Sequence, residues 1–161
     1  MTDQSEHEGY MEEALKEARA ALDADEIPVG CVVVKDGVII GRGRNRKEAS
    51  HDPSAHAEME AIREAARAIG NWRLNGAALY VTLEPCPMCA SLITQSRIRE
   101  VHVALHEVQS GALGTVLDLT KDPLNKVHLN VHWDYHKDAE ELMAEFFQTK
   151  KNRKSRKPEE S

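Results

Sequence analysis

The sequence predicts an α/β fold: a three-layer α/β/α sandwich in which helices cover both faces of a five-stranded mixed sheet. Three observations lead there. Five short runs rich in β-branched residues are spread along the chain, helical apolar patterns alternate with them, and Asp36-Gly37 forms a tight hairpin turn between the first two runs. A chain of 161 residues has room for one domain, which at that size buries about two thirds of the surface its unfolded form exposes.

Residues 1–8 are expected to be disordered, and from Tyr10 the apolar positions Met11, Leu15, Ala18 and Leu22 recur at helical spacing, predicting a packing helix over 10–23. Pro28-Val29-Gly30-Cys31-Val32-Val33-Val34 reads as a strand buried on both faces, and Val38-Ile39-Ile40-Gly41 as its return partner. Residues 42–50 are a polar loop, after which Asp52-Pro53 signals a helix start. The helix expected over 55–69 places Ile62, Ala65, Ala66 and Ile69 on one face, and Glu58 falls on that same stripe. Ala78-Leu79-Tyr80-Val81-Thr82 is a third strand, 87–96 a helix, Glu100-Val101-His102-Val103-Ala104-Leu105 a fourth strand and Val127-His128-Leu129-Asn130-Val131 a fifth, with a short helical stretch between the last two. The final helix, over 138–151, lines up Ala139, Leu142, Met143, Phe146 and Phe147, with acids at its start and lysines at its end as the helix dipole favours. The expected organisation is thus an N-terminal segment 1–8, a domain over 9–150 and a basic tail over 151–161.

No apolar run approaches the roughly 18 residues a membrane span needs, and the amino terminus is acidic where a secretory leader would be basic. A soluble, cytoplasmic protein without membrane partners is expected. The net charge of −6 argues against a chain-wide nucleic-acid surface, yet charge is segregated. Arg42, Arg44, Arg46 and Lys47 form one basic cluster, and Lys150, Lys151, Arg153, Lys154, Arg156 and Lys157 form another at the end. Taken alone, such a tail reads as a solvated or disordered segment.

The chemistry concentrates in Thr82-Leu83-Glu84-Pro85-Cys86-Pro87-Met88-Cys89 and in His56-Ala57-Glu58. Three cysteines, two of them in Cys-x-x-Cys, make no disulfide framework, and in a reducing compartment that spacing points to metal or redox work. His56 favours metal. Two thiolates and one imidazole give tetrahedral zinc three protein ligands and leave a fourth position for water. Both Cys86 and His56 fall at expected helix amino termini, where dipole and free N–H groups favour thiolate. An inward Glu58 has to be paired, metal-associated or protonated, because burying a bare carboxylate costs several kcal/mol. Beside the metal it is a candidate catalytic proton carrier.

These two motifs resemble those of the zinc-dependent nucleobase and nucleoside deaminases. The resemblance is closest to their tRNA adenosine deaminase branch, through Ile27-Pro28-Val29-Gly30, Arg44-Asn45-Arg46, Asp52-Pro53-Ser54-Ala55-His56-Ala57-Glu58, Asn71-Trp72-Arg73-Leu74, Leu79-Tyr80-Val81-Thr82-Leu83-Glu84-Pro85-Cys86, Ser96-Arg97-Ile98 and Phe146-Phe147. It implies a cytidine deaminase-like fold and one Zn2+ per subunit held by His56, Cys86 and Cys89. It implies Glu58 as proton shuttle, and hydrolytic conversion of adenosine to inosine at the wobble position of a tRNA anticodon stem-loop by a homodimer. Among substrate contacts it implies Asn45, Val29 and the Ala57 backbone, to which Glu107 and Phe147 are added. One segment departs from the family pattern: His106-Glu107-Val108-Gln109-Ser110-Gly111 stands where Asp-x-Lys-x-Gly is common.

That departure keeps a deaminase of free guanine or cytosine open as a second reading. A third is a structural zinc module closed by Cys31 as a fourth ligand, in which Glu58 would lack a partner. A redox Cys-x-x-Cys explains neither His56 nor Glu58. Cys31 reads more simply as a small core residue, Trp72, Trp133 and the Phe146-Phe147 pair as packing, and Asn45, apart from the resemblance, as a turn residue. His128, His132 and His136 straddle a strand end, where no second metal site is expected.

Overall fold

The structure, a computed structural model, describes residues 4–156. Its sheet has the order β2-β1-β3-β4-β5, built from β1 (Gly30–Lys35), β2 (Val38–Arg44), β3 (Ala78–Val81), β4 (Glu100–Val103) and β5 (Asn130–Trp133). β1 pairs antiparallel with β2 and β3, while β3–β4 and β4–β5 are parallel, which makes the sheet mixed. The helices are α1 (Gln4–Asp23), α2 (Lys47–Ser50), α3 (Ala57–Ile69), α4 (Pro87–Gln95) and α5 (Lys137–Arg156).

The two-residue period of the strands sorts the core into two layers. Cys31 and Val33 of β1, Leu79 and Val81 of β3, and Val101 and Val103 of β4 face α3 and α4. Val32, Val34 and Tyr80 face the other way, onto Met11, Leu15 and Ala18 of α1 and onto Ala139 and Leu142 of α5. The sheet is thereby enclosed in three layers, as the sequence predicts. Gly43 determines how closely α3 lies on β2: a Cβ there would come within 2.2 Å of the Ala57 carbonyl oxygen. Its absence lets the first turn of α3, the one after His56, rest directly on the strand.

Several boundaries differ from expectation. Helix α1 begins at Gln4, within the segment expected to be disordered, because His7 stacks on His102 at 4.5 Å and hydrogen-bonds the Tyr80 hydroxyl. The polar loop expected at 42–50 is instead the end of β2 followed by the single-turn α2. Strand β5 starts three residues late, at Asn130, whose N–H donates to the Arg99 carbonyl at 2.7 Å; Val127 and Leu129 are buried ahead of it, Leu129 within the core on the α3 side, without strand pairing. No helix forms over 104–129, where turns and an isolated bridge between Leu113 and Asp118 replace it. Helix α5 runs beyond its expected end, to Arg156, while residues 157–161 of the tail lie outside the described part.

Candidate active site

Both metal-facing motifs sit at helix starts. Asp52 makes the turn before α3 by accepting from the Ser54 backbone N–H at 2.8 Å and its hydroxyl at 2.7 Å, and His56 follows as N-cap in extended conformation. Cys86 is likewise the extended N-cap of α4, with Pro87 at a position where a missing N–H costs nothing. Chain direction off β3 aims α4 at the point that α3 reaches across β2 and β1. His56 Nδ1 lies 3.6 Å from Cys86 Sγ and 3.5 Å from Cys89 Sγ, and all three donor atoms lie within 4.8 Å of one another.

The donor set fits zinc in spacing as well as in kind. With Zn–S near 2.3 Å and Zn–N near 2.0–2.1 Å, a tetrahedral angle requires a sulfur-to-nitrogen separation of about 3.6 Å, which both His56 contacts match. The Cys86 thiol is lowered to about 4, chiefly because the Cys89 thiol donates to it, with His56 adding to the effect. That contact in turn raises Cys89, and burial raises it further. His56 is raised by its bond to Cys86 against the effect of burial. Cys31 does not join the group. It is fully buried on β1 with its Sγ 4.0 Å from the Val32 carbonyl oxygen, so the closed four-ligand module has no fourth ligand there.

Glu58 is 4 % exposed, and burial raises its pKa while the Cys89 thiol, hydrogen-bonded to it, holds it down. No Lys or Arg is among the groups shifting it. It opens onto a cavity of about 310 Å³ lined also by His56, Ala57, Cys86, Val29, Asn45 and Glu107.

Residues 4–105 match the cytidine and deoxycytidylate deaminase zinc-binding region. A tRNA-specific adenosine deaminase of Bacillus subtilis (strain 168) is 46% identical over 118 residues, 73% of each chain. The chain belongs to the tRNA-specific adenosine deaminase family. Among solved structures, one from a study of A-to-I editing by tRNA:A34 deaminases at the wobble position of transfer RNA superposes with a TM-score of 0.75 at 42% identity, covering 78% of this chain and 96% of that one. A guanine deaminase from Bacillus subtilis gives a TM-score of 0.60 at 31% identity, covering 91% of this chain and 94% of that one.

Of the expected substrate contacts, Val29, Asn45 and Ala57 from the family resemblance and Glu107 from the departing segment surround the same cavity as His56, Glu58 and Cys86. Asn45 is buried, its N–H donates to the Val29 carbonyl at 3.2 Å, and its Oδ1 accepts from the Lys47 N–H at 3.1 Å. Phe147 is not brought there. Consecutive helix positions diverge by about 100°, and Phe146 takes the inward direction while Phe147 is 51% exposed. Phe146 instead lines a groove that shares Ile27, Asn45 and Lys47 with the cavity and is edged by Lys150 and Arg153.

The two basic clusters are unequal. Arg42 binds Glu13 at 2.6 Å and Glu17 at 2.9 Å, and Arg44 reaches Glu17 at 3.6 Å, so those arginines serve α1. Lys47 alone of that cluster lines the cavity. Trp72 is not core: it is half exposed, with the Arg73 and Arg97 guanidinium groups 4.3 and 5.2 Å from its ring. The sequence reading also missed Glu26 and Glu84 as buried acids. Each stands apart from any cation in sequence, and no local period marks it.

Proposed function

We propose that this protein deaminates adenosine to inosine in the anticodon loop of tRNA, at the wobble position, as a zinc-dependent hydrolase. The observation that carries the reading is the buried Glu58, with no Lys or Arg acting on it, in one small cavity with His56, Cys86 and Asn45, and with the buried Cys89 thiol completing the donor set behind it. His56, Cys86 and Cys89 would hold a zinc ion, which would lower the pKa of a bound water toward about 7. Glu58 would take one proton from that water as its oxygen adds to C6 of the purine and deliver it to ring N1, then carry the remaining hydroxyl proton to the amine as the C6–N bond breaks and ammonia leaves. Burial, which raises Glu58, suits a carboxyl that must both take and give. Asn45, its carbonyl oxygen engaged by Lys47, presents amide N–H donors to acceptors of the base. Val29 and Ala57 wall the ring.

A loop nucleotide suits a cavity of this size because single-stranded RNA can splay a base out without breaking a duplex. The adjoining groove carries Lys47, Lys150 and Arg153, but Arg153 is paired with Asp25 at 2.9 Å and Asp23, Asp25, Glu26, Glu48 and Glu145 line the groove as well, so phosphate contact there falls to Lys47 and Lys150. By resemblance the working form is a cytoplasmic homodimer with one zinc per subunit. Among the described residues no helix is long and apolar enough to cross a membrane.

The substituted stretch, whose Glu107, Gln109 and Ser110 line the cavity, favours a second reading in which a free base such as guanine is the substrate. One assay separates the two. Inosine is measured in an anticodon stem-loop alongside ammonia released from free guanine, cytosine and adenosine. Turnover in the stem-loop is expected; activity confined to free bases overturns the tRNA reading.

A further inference from the structure

We propose that Glu84, two residues ahead of the ligand Cys86, is a positioning residue that moulds the substrate-facing wall of the cavity through the loop over 107–115. The proposal rests on the tRNA reading above for the identity of what that wall meets.

The Glu84 side chain is wholly buried and has no Lys or Arg partner. Its nearest ionisable neighbour, His106, is at 3.9 Å. A carboxylate has about four acceptor positions, and the loop fills them. Oε1 accepts from the Glu107 N–H at 3.1 Å and from the Thr115 hydroxyl; Oε2 accepts from the Leu113 N–H at 2.9 Å and the Thr115 N–H at 3.2 Å. The main chain adds two bonds, Glu84 N–H to the Leu105 carbonyl at 2.8 Å and Ala112 N–H to the Pro85 carbonyl at 2.9 Å. Gly111 makes room for the carboxylate, since a Cβ there would lie 2.5 Å from both Glu84 Cδ and Oε1.

This loop has no helix or strand of its own to keep its shape, yet Glu107, Gln109 and Ser110 line the cavity. Three of its backbone donors, those of Glu107, Leu113 and Thr115, are spent on one side chain that grows from the metal-binding turn. One carboxylate, with the two main-chain bonds beside it, therefore ties the substrate wall to the turn that carries the zinc ligand Cys86. Glu26 does the same for the opposite wall, accepting from the Glu48 and Ala49 N–H groups at 3.3 and 2.7 Å beside Lys47. Glu84 itself lines the cavity, but its side chain is wholly buried and its carboxylate is bonded to the loop.

The test is Glu84→Gln. An amide has one acceptor oxygen, and its NH2 faces donors wherever it is turned, so part of the loop is released while size is kept. With the zinc-loaded full chain, KM for an anticodon stem-loop is expected to rise about tenfold with kcat within about twofold, the signature of lost binding without lost chemistry. Zinc content should stay at the wild-type level. A fall in melting temperature with unchanged KM marks a purely structural residue and overturns the proposal, as does loss of zinc. Should Glu84→Gln fail to fold, Thr115→Val, which removes the hydroxyl donor to Glu84 together with its contact to the exposed His106, decides instead: a two- to threefold rise in KM is expected, and an unchanged KM overturns the proposal. Wild-type protein that deaminates only a free base sinks the tRNA reading separately, and the same KM comparison then runs on that base.

Discussion

Each face of the sheet carries a cluster of ionisable rings and acids, and only one of them is built for chemistry. On the α3/α4 face, His56, Cys86 and Cys89 come off two helix starts with their donor atoms converging, and Glu58 beside them has no Lys or Arg acting on it. On the other face, Tyr80, His102 and His132 occupy matched positions on β3, β4 and β5, so adjacent rings stack at 4.3 and 4.4 Å. Neighbouring strands are about 4.8 Å apart, which turns in-register rings face to face and points their nitrogens sideways. One nitrogen of each ring is already taken: His102 Nδ1 meets Asp134 at 2.9 Å and His132 Nε2 meets Glu100 at 2.6 Å. The larger cavity, about 850 Å³, is the one beside this ladder. Convergence of unspent donors distinguishes a site; size and the number of histidines do not.

The sharpest way to break the contrast is to remove the unpaired acid. Glu58→Gln should keep fold and zinc while lowering kcat by at least about 10²- to 10⁴-fold, the usual worth of a positioned proton carrier. Metal analysis and turnover on one preparation check it, and appreciable remaining activity sinks the shuttle role. Next in size is the ligand set. Cys86→Ser should leave zinc well below one per chain, whereas Cys31→Ala, on the same face but turned into the strand, should retain it. Zinc loss in Cys31→Ala would mean that the site is closed by a fourth protein ligand and that the open position does not exist.

How much of this was legible follows the range of the interactions involved. Helix starts are local, so Asp52-Pro53 and Cys86-Pro87 placed α3 and α4 to within two residues, and with them the ligands. Strand existence was equally plain from β-branched runs. The start of β5 was not, because apolar Val127 and Leu129 look like strand whether they face a neighbouring strand or a loop, and pairing begins only opposite the end of Arg99. The segment after β4 was misread for the same reason in stronger form. Its backbone N–H groups are held by Glu84, 23 to 31 residues away, and nothing in its own composition announces that partner. Nothing in the sequence marks Glu26 and Glu84 as buried, because the groups that satisfy them are mostly backbone, which leaves no trace there.

The smallest of these effects is expected from the histidine ladder, and it sharpens the comparison by showing what stacked rings do instead. Burial lowers the pKa of His102 from its ordinary value near 6.5, more than the Asp134 contact raises it, and the neighbouring His132 and His7 lower it further. Well above pH 6.5 the ring is neutral in both folded and unfolded chains, so it contributes no slope. As pH falls through about 6.5 the unfolded chain binds the proton first, and stability drops until the folded ring can follow. His102→Phe preserves a flat ring between Tyr80 and His132 and removes the proton. Between about pH 7.5 and 5.5 the wild type should lose a few degrees of Tm more than the variant, on the scale of 2–4 °C per kcal/mol for a domain of this size. Zinc content and turnover at neutral pH should be the same in both. Equal losses would mean that the ladder is titrated no differently in the folded chain than in the unfolded one, and that its close stacking imposes no burden on His102.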